Sequence, residues 1–117
     1  FFISFGLEAP HEKAAEQSLP PYNIPGADIT WRLESQAGVA RPFAAIVPFT
    51  VAGADGRPYG DVLVVMKVAQ GATCQIGYLD TIANAGAMAQ ALRLADEKAR
   101  SFDCATPPET VGAFKAW

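Results

Sequence analysis

Histidine is almost missing from this chain: His11 is the only one in 117 residues. A catalytic triad or an imidazole metal site needs a base or a ligand set that a lone histidine does not supply. His11 therefore reads as a solvated residue. Basic clusters are missing as well. The nine Lys and Arg residues are scattered and the formal charge is −3. Nucleic-acid binding rests on a basic patch, so that partner class is excluded. The same scarcity argues against docking on an anionic membrane surface. No apolar run reaches the ~18–20 residues that span a bilayer. The glycines build no phosphate loop, since Gly53-Ala54-Asp55-Gly56 leads into Arg57-Pro58 and not into a helix. Neither a haem-attachment spacing nor a calcium-loop spacing occurs. Asp55, Asp61 and Asp80 sit at expected turns and strand ends, where turn chemistry accounts for them. These absences predict no cofactor, no metal and no enzyme activity.

Cysteine is scarce too, with two residues, Cys74 and Cys104. They form no CxxC redox pair and are joined by no His ligands, which excludes a zinc site. Two buried free thiols and one disulfide remain as readings.

What is present is a globular balance. Half of the residues are hydrophobic and 18% are charged, which suits one domain with one core. Residues 1–28 look like a Pro-rich arm. Pro10, Pro20, Pro21 and Pro25 punctuate it, and each displaces its predecessor from the helical region. A two-turn helix within residues 10–18 is compatible with the Ala/Glu/Lys content there. The apolar start, residues 1–7, has two readings. One is the trimmed end of a signal or anchor segment, with membrane association through the N-terminus. The other is an edge strand or arm packed on the domain.

Residues 29–117 are expected to form a single α+β domain. Ile29, Trp31 and Leu33 alternate with polar residues, the pattern of a half-buried strand with one wet face. Residues 35–38 then turn. In residues 43–51 both faces are apolar, and Pro48, which has no N–H, makes that strand an edge or bulged. Asp55-Gly56 is a hairpin dipeptide. The run Val62-Leu63-Val64-Val65-Met66 reads as the central strand, and residues 73–79 as the last one. A helix follows, with Asn84 as N-cap and Met88, Leu92, Ala95, Ala99 and Phe102 as its apolar stripe. Its outer face carries the pairs Arg93/Glu97 and Asp96/Arg100. The helix should end near Asp103, with Pro107-Pro108 stopping it and a short apolar tail after. The predicted architecture is an antiparallel β-meander of three to four strands with one C-terminal helix packed on one face.

Lengths then favour the disulfide. A helix ending near Cys104 covers about 28 Å, and the strand beginning at Cys74 about 22 Å. Running back along the strand, the helix returns Cys104 to the strand's start. The bond would be a structural clasp, and it implies an oxidising compartment.

From residue 61 to residue 104 the chain resembles a group of small exported proteobacterial proteins of unknown function. The resemblance is carried by Val62-Leu63-Val64-Val65, by Cys74-Gln75-Ile76-Gly77-Tyr78-Leu79-Asp80, and by Ala83-Asn84. It continues through Ala91, Ala95-Asp96-Glu97-Lys98-Ala99 and Phe102-Asp103-Cys104. It covers well under half of the chain, and implies export and a paired cysteine but no activity.

Together these readings predict a non-enzymatic periplasmic domain that binds another protein, an accessory subunit of a membrane-associated complex. Aromatics outside the periodic core are the candidate contacts: Phe1, Phe2, Phe5, Tyr22, Trp31 and Trp117. Two alternatives stand beside it. One is a carrier of a small apolar ligand held by Phe49, Met66 and Met88. The other is an enzyme of unfamiliar type using Asp80, Asn84 and Arg93.

Overall fold

A computed structural model describes residues 11–15, 23–26, 28–52, 58–82 and 84–112. Six strands and one helix lie in it: β1 (Asn23–Pro25), β2 (Thr30–Gln36), β3 (Val39–Ala52), β4 (Pro58–Lys67), β5 (Cys74–Asp80), α1 (Ala87–Lys98) and β6 (Glu109–Val111). The α+β class and the antiparallel run from β2 to β5 agree with expectation. The sheet is wider than three or four strands.

The sheet has five lanes, because β1 and β2 share one. β1 pairs Pro25 with Phe49, and β2 pairs Thr30 with Ile46, so both lie along the same edge of the long β3. The lane is interrupted opposite Pro48. Pro48 offers its carbonyl to the Gly26 N–H at 2.7 Å. A strand residue directs its N–H and its C=O toward the same neighbour, so the donor that Pro48 lacks would also face this interruption. That is how a proline sits in β3 without β3 being an edge. It also brings Asn23–Pro25, placed by the sequence in the arm, into the sheet.

β6 pairs parallel with β5, Tyr78 opposite Thr110, and makes the sheet mixed. Parallel neighbours need a crossover, and α1 supplies it. The helix ends at Lys98, short of the expected Asp103 and well before Pro107-Pro108, and a strand follows those prolines where only a tail was expected.

β4 lies between β3 and β5 and both of its faces are covered, which explains its unbroken apolar run. Leu63 and Val65 face α1 with Ile46 and Ile76. Val62, Val64 and Met66 face the other way with Val47, Phe49 and Val51. Burying one such aliphatic side chain is worth about 1.5–3 kcal/mol, so this strand is the centre of stability.

The helix packs on the sheet through Ala87, Ala91, Ala95 and Ala99, all buried. Of the predicted stripe, Ala95 and Ala99 are buried and Leu92 and Phe102 pack against the core. Met88 is the exception, 42% exposed, and the i, i+4 row of alanines lets the helix approach closely. Opposite it, Gly77 leaves the space that Leu94 fills. Asn84 is not the N-cap. Gly86 holds that position without a side-chain bond, and Asn84 instead donates to the carbonyls of Asp80 and Val111 at 2.9 and 3.3 Å.

Of the region 10–18, where a short helix was expected, residues 11–15 are described, and Lys13–Ala15 form a 3-10 turn docked on the β4–β5 connection. The Ala14 N–H donates to the Thr73 carbonyl at 2.9 Å, and the Thr73 N–H donates to the buried Glu12 carboxylate at 3.0 Å. Ala14 and Ile29 pack on the sheet face opposite the helix. The Asp55-Gly56 turn lies outside the described residues.

Candidate functional site

The outer lane departs most from expectation. In β2 the apolar residues were to face the core and the polar ones water. The reverse holds: Trp31 is 46% and Leu33 58% exposed, while Arg32 and Glu34 are half-buried. The register with β3 sets the faces: Trp31 lies opposite Ala45, on the sheet face away from the helix, and Arg32 opposite Ala44, on the helix face. There Arg32 donates from Nε and Nη2 to the two Asp96 carboxylate oxygens at 2.8 and 2.7 Å, and Glu34 meets Arg100, just past α1, at 3.4 Å. Trp31, Leu33 and Ser35 take the other face. Asp96 pushes the Arg32 guanidinium further up, by its hydrogen bond first and its charge second. The guanidinium therefore stays charged at any ordinary pH.

β2 is also an edge. Its inner side pairs with β3, and among the described residues no strand pairs with its outer side. The ladder slips once, where Arg32 faces Ala44 but Leu33 faces Pro42. The extra residue, Phe43, belongs to β3, so β2 itself is regular over its whole length. Ala37 and Gly38, both at positive φ, close the tight turn to β3.

On the helix side of this hairpin lies a cleft of about 510 Å³ lined by Glu34, Arg41, Phe43, Lys67 and Arg100 among others. Its cations are largely engaged. Arg100 lies over the Phe43 ring at 4.3 Å and donates to the Asp96 carbonyl at 2.8 Å. Lys67 donates to the Phe102 carbonyl at 2.7 Å, neutralising the carbonyl-rich end of the helical segment. The cleft thus fastens the hairpin to the helix end. Beside Cys104, His11 and Lys13 line a second depression.

Cys74 and Cys104 are joined by a disulfide, with Cα atoms 5.8 Å apart. It links the first residue of β5 to the segment that follows α1; the pairing is the expected one, although the helix ends at Lys98 and residues 99–103 complete the return. Of the six candidate contact aromatics, Trp31 is exposed on β2. Phe1, Phe2, Phe5, Tyr22 and Trp117 lie outside the described residues. Asp80 and Asn84 are brought together at the end of β5. Asp80 is buried and accepts from the Ile82 N–H at 2.8 Å. Arg93 stands apart, exposed on α1. Phe49 and Met66 lie on the sheet face away from the helix, so they share no pocket with Met88. Among the described residues no group of three or more His, Cys, Asp or Glu side chains is placed to hold a metal ion. No helix among them is long and apolar enough to cross a membrane.

Compared with family models, with curated proteins and with solved structures, the chain matches none.

Sequence reasoning singled out Trp31 but missed Leu33 and the Arg32–Asp96 pair. The alternation of β2 was legible; which of its faces would be wet was not. That depends on the register with β3 and on what covers each face of the sheet, and no local spacing marks it.

Proposed function

We propose that this chain is a non-catalytic, exported protein-binding domain, an accessory subunit of a membrane-associated complex in the periplasm, with β2 as its docking edge. One observation carries the reading: Trp31 and Leu33 stand exposed side by side on a strand whose outer backbone pairs with no other strand among the described residues. Strand addition to such an edge takes affinity from main-chain hydrogen bonds and specificity from alternate side chains. Tryptophan is also among the residues that most often dominate binding energy. The disulfide supports the exported setting, because such bonds persist in oxidising compartments. The resemblance of residues 61–104 to small exported proteobacterial proteins points the same way, and the apolar residues 1–7 suit contact with a membrane.

The test is site-directed photo-crosslinking in cells at native abundance. A photoreactive residue replaces Trp31 in one variant and the exposed helix residue Arg93 in another. A discrete protein adduct is expected from position 31 alone. No adduct, or the same adducts from both positions, refutes the docking edge.

A further inference from the structure

β2 is self-complementary. Its seven residues, Thr30–Gln36, have Leu33 as their midpoint. Two copies laid antiparallel about a twofold axis at Leu33 overlap over the whole strand. In that register Arg32 lies opposite Glu34 of the second copy, and Glu34 opposite its Arg32. Opposite charges directly across an antiparallel pair are favourable, and like charges are not. Shifting the axis by one residue sets Arg32 against Arg32, or Glu34 against Glu34, and shortens the overlap. Length and charge thus select the same register.

We infer that β2 pairs antiparallel with β2 of a second copy of this chain, joining two five-lane sheets into one continuous sheet. This rests on the reading of β2 as a docking edge and names its occupant. A twofold axis perpendicular to the sheet keeps both helices on one face. There the charges alternate across the joint, Asp96 and Arg32 of one copy followed by Glu34 and Arg100 of the other. Within one copy both pairs already exist, at 2.7 and 3.4 Å, so the joint extends a network held in place. On the opposite face Trp31 lies across from Ser35 and diagonal to Leu33 of the second copy. Diagonal neighbours are within reach of aromatic side chains. The two Trp31 and two Leu33 side chains then form one apolar stripe, in which each shields part of the others' exposed surface. Sheet edges that stay single are commonly blunted by lysine, proline or a bulge in the edge strand. β2 contains no lysine and no proline, and its ladder's extra residue is on β3.

Sedimentation equilibrium of the full chain from about 1 µM to about 1 mM, the range of weak and transient interfaces, tests the pairing. The weight-average mass is expected to rise reversibly from 12.4 kDa toward twice that value. Leu33→Lys, which sets two like charges on the axis, should weaken association at least ~10-fold. The decisive variants are Arg32→Glu and Glu34→Arg. Each alone places like charges at both cross-strand positions and should stay monomeric. Mixed one to one, they restore opposite charges at both and should dimerise. Far-UV circular dichroism and thermal melts establish that each variant is folded, and where one is not, oxidative crosslinking of Leu33→Cys to a dimer reports the same register. A wild-type monomer up to ~1 mM overturns the inference, as does a dimer insensitive to Leu33→Lys, or charge variants that fail to associate when mixed. A monomer whose position 31 still crosslinks another protein in cells overturns the self-pairing and leaves the docking edge standing.

Discussion

Arg32 grips Asp96 with a two-pronged contact, 2.8 Å from Nε and 2.7 Å from Nη2, across 64 positions of sequence. It links the edge strand to the helix. Both side chains are about 40% exposed, so the pair is a solvent-screened surface contact, too weak to set the facing of β2 by itself. A double-mutant cycle of Arg32→Ala and Asp96→Ala in urea should return a small coupling that shrinks further as salt is raised to ~1 M. A large coupling, or one indifferent to salt, would show that the pair is held more tightly than its exposure allows.

The hairpin that presents β2 carries an avoidable strain. Ala37 has φ 51° and Gly38 φ 81°, the pattern of a turn that favours Asn-Gly. The left-handed region costs an L-residue with a plain Cβ roughly 1–2 kcal/mol, and asparagine tolerates it better. Ala37→Asn should therefore raise the urea midpoint, by an amount equivalent to up to about 1 kcal/mol. An unchanged or lower midpoint would mean that the turn is not strained in solution.

These two features mark where sequence reasoning stops. The Val62–Met66 run, apolar on every residue, identified the central strand because both of its faces are covered. The cysteine pair was legible because the helix runs back along β5, although α1 is shorter than expected and a turn completes the return to Cys74. The alternation at residues 29–33 revealed a strand but not its wet face: Ile29 packs on the core, while Trp31 and Leu33 of the same face are exposed. The helix stripe was legible except at Met88: Leu92, Ala95, Ala99 and Phe102 meet the core, and the row is completed by Ala87 and Ala91, which local hydropathy ranks below Met88. β6 was invisible. Three residues with one half-buried side chain, Val111, carry no periodicity, and a parallel strand is defined only by the crossover that delivers it.

The disulfide has the largest expected effect. Closing a loop of 30 positions constrains the unfolded chain by about 3–4 kcal/mol in the chain-entropy treatment. Cys74 is also buried in the helix-side core. Reduction, or the double substitution Cys74→Ala with Cys104→Ala, should lower the melting temperature by more than ~10 °C. Thiol titration of the unreduced denatured chain should find no free thiol. A melting temperature that reduction leaves unchanged would remove the clasp from the account of stability.

Gly112 is a sharper constraint than its place beside the three-residue β6 suggests. Its φ is +116°, and a Cβ built on it would stand 2.5 Å from the Asp80 Cβ and 3.3 Å from Asn84 Nδ2. Substitution thus meets strain and collision together, at a point where Asn84 ties β5 to β6. Gly112→Ala should cost about 1–3 kcal/mol and raise amide exchange in β6 first. Gly38→Ala makes a useful contrast, since it meets a positive φ but open space and should cost less. Equal losses at the two positions would show that the contact with Asp80 is unimportant.

Tyr78 gives the stability a defined alkaline limb. Its ring packs beside the core face opposite the helix, its hydroxyl donates to Gln75 Oε1, and burial pushes the phenol above its ordinary value of 10.0. The folded chain therefore holds this proton at a pH where the unfolded chain has released it. The contribution is complete below about pH 10 and is lost as pH rises through the folded value. Urea midpoints measured from pH 7 to pH 11 should stay level with respect to this group and then fall. Lysines ionise in the same range, so the comparison with Tyr78→Phe isolates the phenol. That variant should be less stable at neutral pH by about 1 kcal/mol, for the lost hydrogen bond, and should show a shallower decline above pH 10. Parallel curves for the two chains would mean that Tyr78 ionises as freely folded as unfolded, and that its burial does not protect the hydroxyl.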